Sequence, residues 1–148
     1  MNEPSTETPM TAQAAMTESE VHDLLRRFFA AFTNPATKPE QFSELLSPDY
    51  IQRVDGEQLD YAGFLRHSEA VQASISSSNV TFEHIVTDGV SAASVHIAEA
   101  IKTNGKRIRL KVIAYYQFRG NRISLVDELT HLLEGDAQDR DLGSRISD

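Results

Sequence analysis

No cysteine occurs among the 148 residues. Disulfides, thiolate metal centres and cysteine nucleophiles are therefore excluded. Nor does any apolar run approach the ~18 residues that a membrane-spanning helix needs, so no membrane partner is expected. The N-terminus lacks the basic and apolar blocks of a secretion signal, which makes a cytoplasmic protein the expectation. The G-x-S-x-G elbow and the glycine-rich phosphate loop are both missing, and with them the usual signatures of serine hydrolases and nucleotide sites. Basic residues are scarce: 14 Lys and Arg stand against 22 Asp and Glu, for a net charge of -8. A chain without a basic face is not expected to bind nucleic acid.

What is present suits one domain, with 40% apolar residues to fill one core. The acids gather at the ends. Residues 1–20 hold four acids and no Lys or Arg, and residues 134–148 hold five acids and two arginines. Residues 1–16 read as a disordered leader, 17–134 as the folded domain and 135–148 as a charged tail. Lys102, Lys106, Arg107, Arg109 and Lys111 form one basic cluster, which reads as a solvated face.

Thr17 and Glu20 make a capping box. Val21, Leu24, Leu25, Phe28, Phe29 and Phe32 follow at helical spacing, up to Asn34-Pro35. A short second helix is expected from Pro39 to before Pro48, then a short strand over Tyr50–Val54 closed by Asp55-Gly56. Asp60 should cap a third helix bearing Phe64, Leu65, Val71 and Ile75. Ser76–Asn79 read as a polar linker. Four strands follow, near 80–86, 92–102, 106–118 and 122–133. The expected fold is α+β: a curved antiparallel sheet of four long strands and a short one, wrapped on three N-terminal helices as a cone with a pocket.

Asn104-Gly105 and Gly120-Asn121 read as two-residue hairpin turns. Zipping the strands from these turns places Val95, Ile97, Val112, Tyr116 and Leu129 on one apolar face, with Glu99, Asp127 and His131 set among them. Asp127, between apolar neighbours, is the expected proton-transfer group, its pKa raised by desolvation. Its structural alternative is a polar group satisfied by Arg26, Arg27 or a tyrosine. His131 and Tyr116 are the other catalytic candidates. Glu99, His84, His67, Val95, Ile97, Val112, Leu129, Phe28 and Phe32 are expected to line the pocket. No metal is expected, because Asp127 and His131, four apart on a strand, do not converge; no cofactor is expected either. The opposite face, with His96, Ile113, Tyr115, Val126 and Glu128, is the expected homodimer interface. A single β-bulge after a turn exchanges the two faces and makes Glu128 and His96 the pocket pair.

The segments VHDLLRRFFAAF, FSELLSPDY, KVIAYYQFRGNRISLVDELTHLL and EGDAQDRDLGSR give this chain, over about residues 17–145, a resemblance to the nuclear transport factor 2-like superfamily, in its SnoaL-like (polyketide cyclase-like) branch. Ketosteroid isomerases of that superfamily carry a catalytic tyrosine on the first helix, where this chain has Phe28, Phe29 and Phe32. SnoaL-like cyclases use a pocket aspartate with a histidine nearby, which the resemblance maps to Asp127 with His84, His96 or His131. The resemblance implies a small-molecule pocket with cofactor-free cyclase, isomerase or dehydratase chemistry on a small apolar carbonyl compound. The alternatives are a non-catalytic binding or dimerising module, and a domain whose acidic tails recruit another protein.

Overall fold

The computed structural model describes residues 14–136. The expected leader at 1–13 and the tail from 137 lie outside the described residues. The order is α1 (Glu18–Thr33), a 3₁₀ turn (Pro39–Glu44), β1 (Leu46–Val54), β2 (Glu57–Asp60), α2 (Tyr61–Ser74), β3 (Ile75–Thr87), β4 (Ser91–Lys102), β5 (Arg107–Arg119) and β6 (Arg122–Glu134). The strands form one open sheet in the order β2-β1-β6-β5-β4-β3. All pairs are antiparallel except β1 with β6, which run parallel. The α+β fold with helices against a curved sheet is as expected.

Local chemistry accounts for the helices. Glu20 N–H donates to Thr17 Oγ1 at 3.1 Å, and Thr17 N–H donates to Glu20 Oε1 at 2.8 Å. This reciprocal cap satisfies two amides that the first turn leaves open. Thr17→Ala is expected to cost about 1 kcal/mol, read as a lowered urea midpoint at unchanged slope. Asp60 caps α2 by accepting from Gly63 N–H at 2.8 Å. α1 buries Val21, Leu24, Leu25, Phe28 and Phe29, and α2 buries Phe64, His67 and Val71. Both stripes face the sheet.

Three features depart from expectation. The strand read as short spans nine residues and turns through Asp55-Gly56, both at positive φ, into the additional strand β2. Ser77, Ser78 and Asn79 are not a linker: they pair with Ile101, Ala100 and Glu99 as the start of β3. Their polarity is tolerated because the backbone ladder forms whatever the side chains are. Met16, assigned to the leader, is tied to the domain by a 3.0 Å hydrogen bond from its N–H to Gly89 O. Gly89 sits at φ +93°, and a Cβ there would meet Met16 O at 2.5 Å, so this close approach needs glycine.

Candidate functional site

Two shifts of one residue decide what looks inward. The β4–β5 hairpin does not use a two-residue turn. Lys102 N–H donates to Lys106 O at 2.8 Å, closing a three-residue loop with Gly105 at φ +87°. His96 therefore lies opposite Val112, and Ser94 opposite Ala114. The β5–β6 turn is the expected two-residue one, with Arg119 opposite Arg122. A bulge at Ser124 then moves Val126 opposite Tyr116 and Glu128 opposite Ala114. Because the side-chain period along a strand is two, each shift exchanges the faces.

The inner face and the helices line a partly open cavity of about 80 Å³. Its helical wall is aromatic: Phe28, Phe29 and Phe32 from α1, with Phe64, His67 and Val71 from α2. The rings interlock. Phe28 and Phe64 centroids are 5.8 Å apart, and Phe32 and His67 5.3 Å. Its sheet wall carries most of the polar groups: Gln52 from β1, Ser78 and Asn79 from β3, His96 from β4, and Glu128 and Thr130 from β6, with Thr33 of α1 and His67 of α2 facing them. Room for them comes from small residues on the same face, Ala98 and Ala100 beside the cavity and Ala114 between the rows of Ser94 and Glu128.

Burial pushes the Glu128 carboxyl up to about 8, with smaller contributions from the negative charges of Asp55 and Asp127. The residue lines the cavity and keeps some accessible surface, while protein packs densely around the carboxyl. Asp55 also holds this stretch of β6 in place. Its N–H donates to Glu128 O at 3.0 Å, and its carboxylate accepts from Thr130 N–H at 2.8 Å and from the Thr130 hydroxyl.

His96 is 1% exposed, and burial lowers it to about 4, so it is neutral at physiological pH. Its ring packs between Phe29 and Phe82, with centroids at 4.8 and 5.3 Å. The Tyr116 hydroxyl lies 2.7 Å from Ser94 Oγ, and Ser94 Oγ lies 3.0 Å from His96 Nδ1. Burial raises the Tyr116 phenol, so it keeps its proton. Ser94 is the hydrogen-bond partner of that phenol among the described residues. If Tyr116 donates to Ser94 and Ser94 in turn donates to Nδ1, the imidazole proton sits on Nε2. The site thus combines a carboxyl of high proton affinity with a neutral imidazole.

The expected site residues divide accordingly. Val112, Phe28, Phe32 and His67 line the cavity. Tyr116 is fully buried and faces inward, but reaches the site through Ser94 and not directly. Glu99 borders the cavity, and its carboxylate accepts from Arg109 Nε at 3.0 Å. Asp127 is corrected to the convex face: its side chain is 49% exposed and stands 3.9 Å from Arg53 Nη1. His131 and Leu129 go with it, Leu129 at 67% exposure, because the Ser124 bulge turned all three. Val95 and Ile97 leave the pocket through the three-residue loop of the β4–β5 hairpin. His84 is exposed because a second bulge, between Phe82 and His84, turns it outward. By the same shifts His96, Val126 and Glu128, assigned to the dimer face, point into the core, whereas Ile113 and Tyr115 do face out. Gln52, Thr130, Ser94 and Phe64 carry no signal in the sequence that sets them apart as site residues.

Comparison with known proteins agrees with this architecture. The model of the SnoaL-like domain matches residues 25–126. An uncharacterised protein of Schizosaccharomyces pombe is 45% identical over 120 residues, covering 81% of this chain and 92% of that protein. An LEH-like epoxide hydrolase of M. tuberculosis superposes with a TM-score of 0.65 at 16% identity, over 85% of this chain and 90% of that one. IdmH of Streptomyces antibioticus, described as a candidate polyketide cyclase, gives 0.62 at 20% identity, over 76% and 91%. At these identities the two structures speak for the fold alone. With the family model spanning most of the folded body, the chain belongs to the SnoaL-like domain family.

Proposed function

We propose that this pocket carries cofactor-free acid/base chemistry on a small, mostly apolar carbonyl compound, of the isomerase, cyclase or dehydratase kind. The observation that carries the reading is the Glu128 carboxyl, held in an apolar cavity that the neutral His96 also lines, with its proton affinity raised to about 8. A base works best with a pKa near the operating pH. The ionised Glu128 takes a proton from the carbon next to the substrate carbonyl. The C–H bond breaks, an O–H bond forms on Glu128, and the electron pair moves onto the carbonyl oxygen. His96 Nε2–H donates to the enolate so formed, a neutral donor aimed where charge develops. Glu128 then returns the proton to carbon or to a departing oxygen. The likeness in fold to an epoxide hydrolase and a candidate polyketide cyclase supports small-molecule chemistry in such a cavity.

Deuterium incorporation next to the carbonyl of cyclopentanone, followed by NMR in D₂O at pH 8, tests the reading. Exchange well above the buffer rate is expected. Exchange at the buffer rate with the ketone demonstrably bound would leave a non-catalytic binding module of the same fold.

The reading includes a homodimer, acting in the cytoplasm, that pairs through the convex face. Ile113 and Leu129 are cross-strand partners there, 57% and 67% exposed, with Tyr115 alongside. Exposed apolar groups in contact with one another suit a protein interface. Sedimentation equilibrium is expected to give about twice 16.5 kDa, and Leu129→Glu to give the monomer mass. A monomeric parent chain would dispose of this interface, and a fluorescent fusion confined to an organelle would overturn the cytoplasmic assignment.

A further inference from the structure

We infer that this pocket selects uncharged oxygenated molecules no larger than a single small ring, and turns away carboxylates and fused ring systems. The inference takes its location from the proposed function, but concerns what binds and not what reaction follows.

Charge is the first argument. Among the described residues, no Lys or Arg lines the cavity. The nearby cations are committed elsewhere. Arg107 and Arg109 lie 3.7 and 3.0 Å from the Glu99 carboxylate, and Arg53 stands beside Asp127 on the convex face. A carboxylate ligand would give up its hydration to enter and find no cation inside, which is the costliest way to bury a charge. A ketone, lactone or epoxide oxygen asks only for a donor, which His96 provides when the imidazole proton sits on Nε2.

Size is the second. The cavity of about 80 Å³ is roughly half the ~150 Å³ of an apolar cavity that accepts benzene. One five-membered ring, or a short chain of similar bulk, is the ceiling for a ligand held wholly inside. Expansion is resisted by the packing of Phe28 against Phe64 and of Phe64 against Phe42 and Tyr50, with centroids 5.1 to 5.8 Å apart.

Placement of polarity is the third. The helices present mostly aromatic and aliphatic groups, with Thr33 and His67 as the polar exceptions, and the sheet presents most of the polarity, Gln52, His96, Glu128 and Thr130 among it. A ligand apolar on one side and oxygenated on the other matches both walls. A hydrocarbon leaves the donors unmet, and a polyol sets hydroxyls against phenylalanine.

The test is a binding series on the full chain at pH 6.5, reading the methyl NMR signals of Val71, Val80, Leu110 and Val112. The probes are cyclopentanone, cyclopentanecarboxylate and 9-fluorenone. Cyclopentanone is expected to shift these methyls saturably. Cyclopentanecarboxylate is expected to bind at least about tenfold more weakly, a difference of about 1.4 kcal/mol, and fluorenone to leave the pocket methyls unmoved. Equal binding of the carboxylate, pocket shifts with fluorenone, or no shift with cyclopentanone would each overturn the inference. Binding in this order without deuterium exchange would remove the proposed catalysis and leave the selectivity standing. Exchange with a reversed order would do the opposite.

Discussion

Replacing Glu128 with glutamine is expected to slow carbonyl-adjacent proton exchange by about a hundred- to ten-thousand-fold, the usual range for a positioned acid/base group. Glutamine keeps the shape and a hydrogen-bonding end but cannot hold a proton in transit. The pH profile separates this loss from a general disturbance of the pocket. With Glu128 acting as base, kcat/KM for exchange should rise with pH and level off above about 8, where the carboxyl ionises. In Glu128→Gln that inflection should vanish and the residual rate follow hydroxide. An inflection near the ordinary carboxylate value, or an unaltered rate in the variant, would rule Glu128 out as the proton carrier. Asp127→Asn serves as contrast. That side chain is half exposed on the convex face, and its substitution should leave the inflection within a few tenths of a unit.

The same two buried groups should give the protein an unusual stability profile. Glu128 rises from 4.5 to about 8 in the fold. Between those values the folded state binds one more proton than the unfolded chain, so its contribution to stability falls as pH rises through that window. The 3.5-unit difference sets a ceiling of about 5 kcal/mol. His96 falls from 6.5 to about 4. Between those values the unfolded chain binds the extra proton, so stability rises with pH across that window, by at most about 3 kcal/mol. The two slopes oppose each other between about 4.5 and 6.5. A plateau is expected there, followed by a decline of about 2 kcal/mol up to pH 8.

Glu128→Gln removes the declining limb. The variant should match or trail the parent near pH 5 and exceed it by a few kcal/mol at pH 9. Urea unfolding of both proteins at pH 5, 7 and 9 measures the difference. A constant gap between them across pH would mean that the carboxyl is no harder to ionise in the fold than in the unfolded chain.

Much of the architecture was legible from the sequence. The Thr17–Glu20 capping box, the Asp60 cap, the Asn34-Pro35 stop and the α1 stripe are local signals whose physics acts within a few residues, and all appear where expected. The site was harder. On β6 the residues at one parity are Leu125, Asp127, Leu129 and His131, and at the other Val126, Glu128, Thr130 and Leu132. Each set mixes aliphatic and polar side chains, so periodicity favours neither. On β4 the pattern misleads. The large apolar residues Val95 and Ile97 face outward, and the inner face is built from Ala92, Ser94, His96, Ala98 and Ala100. Small residues there leave the space that becomes the cavity. A rule that sends the bulkiest residues inward selects the wrong face wherever a fold reserves room for a ligand.

Taken alone, the order of residues was enough to set the helices, the turn positions, the four-stranded meander and a short list of candidate acids, histidines and Tyr116. It could also say that a bulge would substitute Glu128 and His96 for Asp127 and His131, but not that the bulge is there. Tertiary structure decided that. A three-residue loop in place of two, and one extra residue at Ser124, cost little in local energy, since either hairpin geometry is open to these turn sequences. Their outcome depends on whether Phe28, Phe64 and Tyr116 pack better against one parity or the other. That comparison sums contacts between segments distant in the chain, and it exists only once helices and sheet have met.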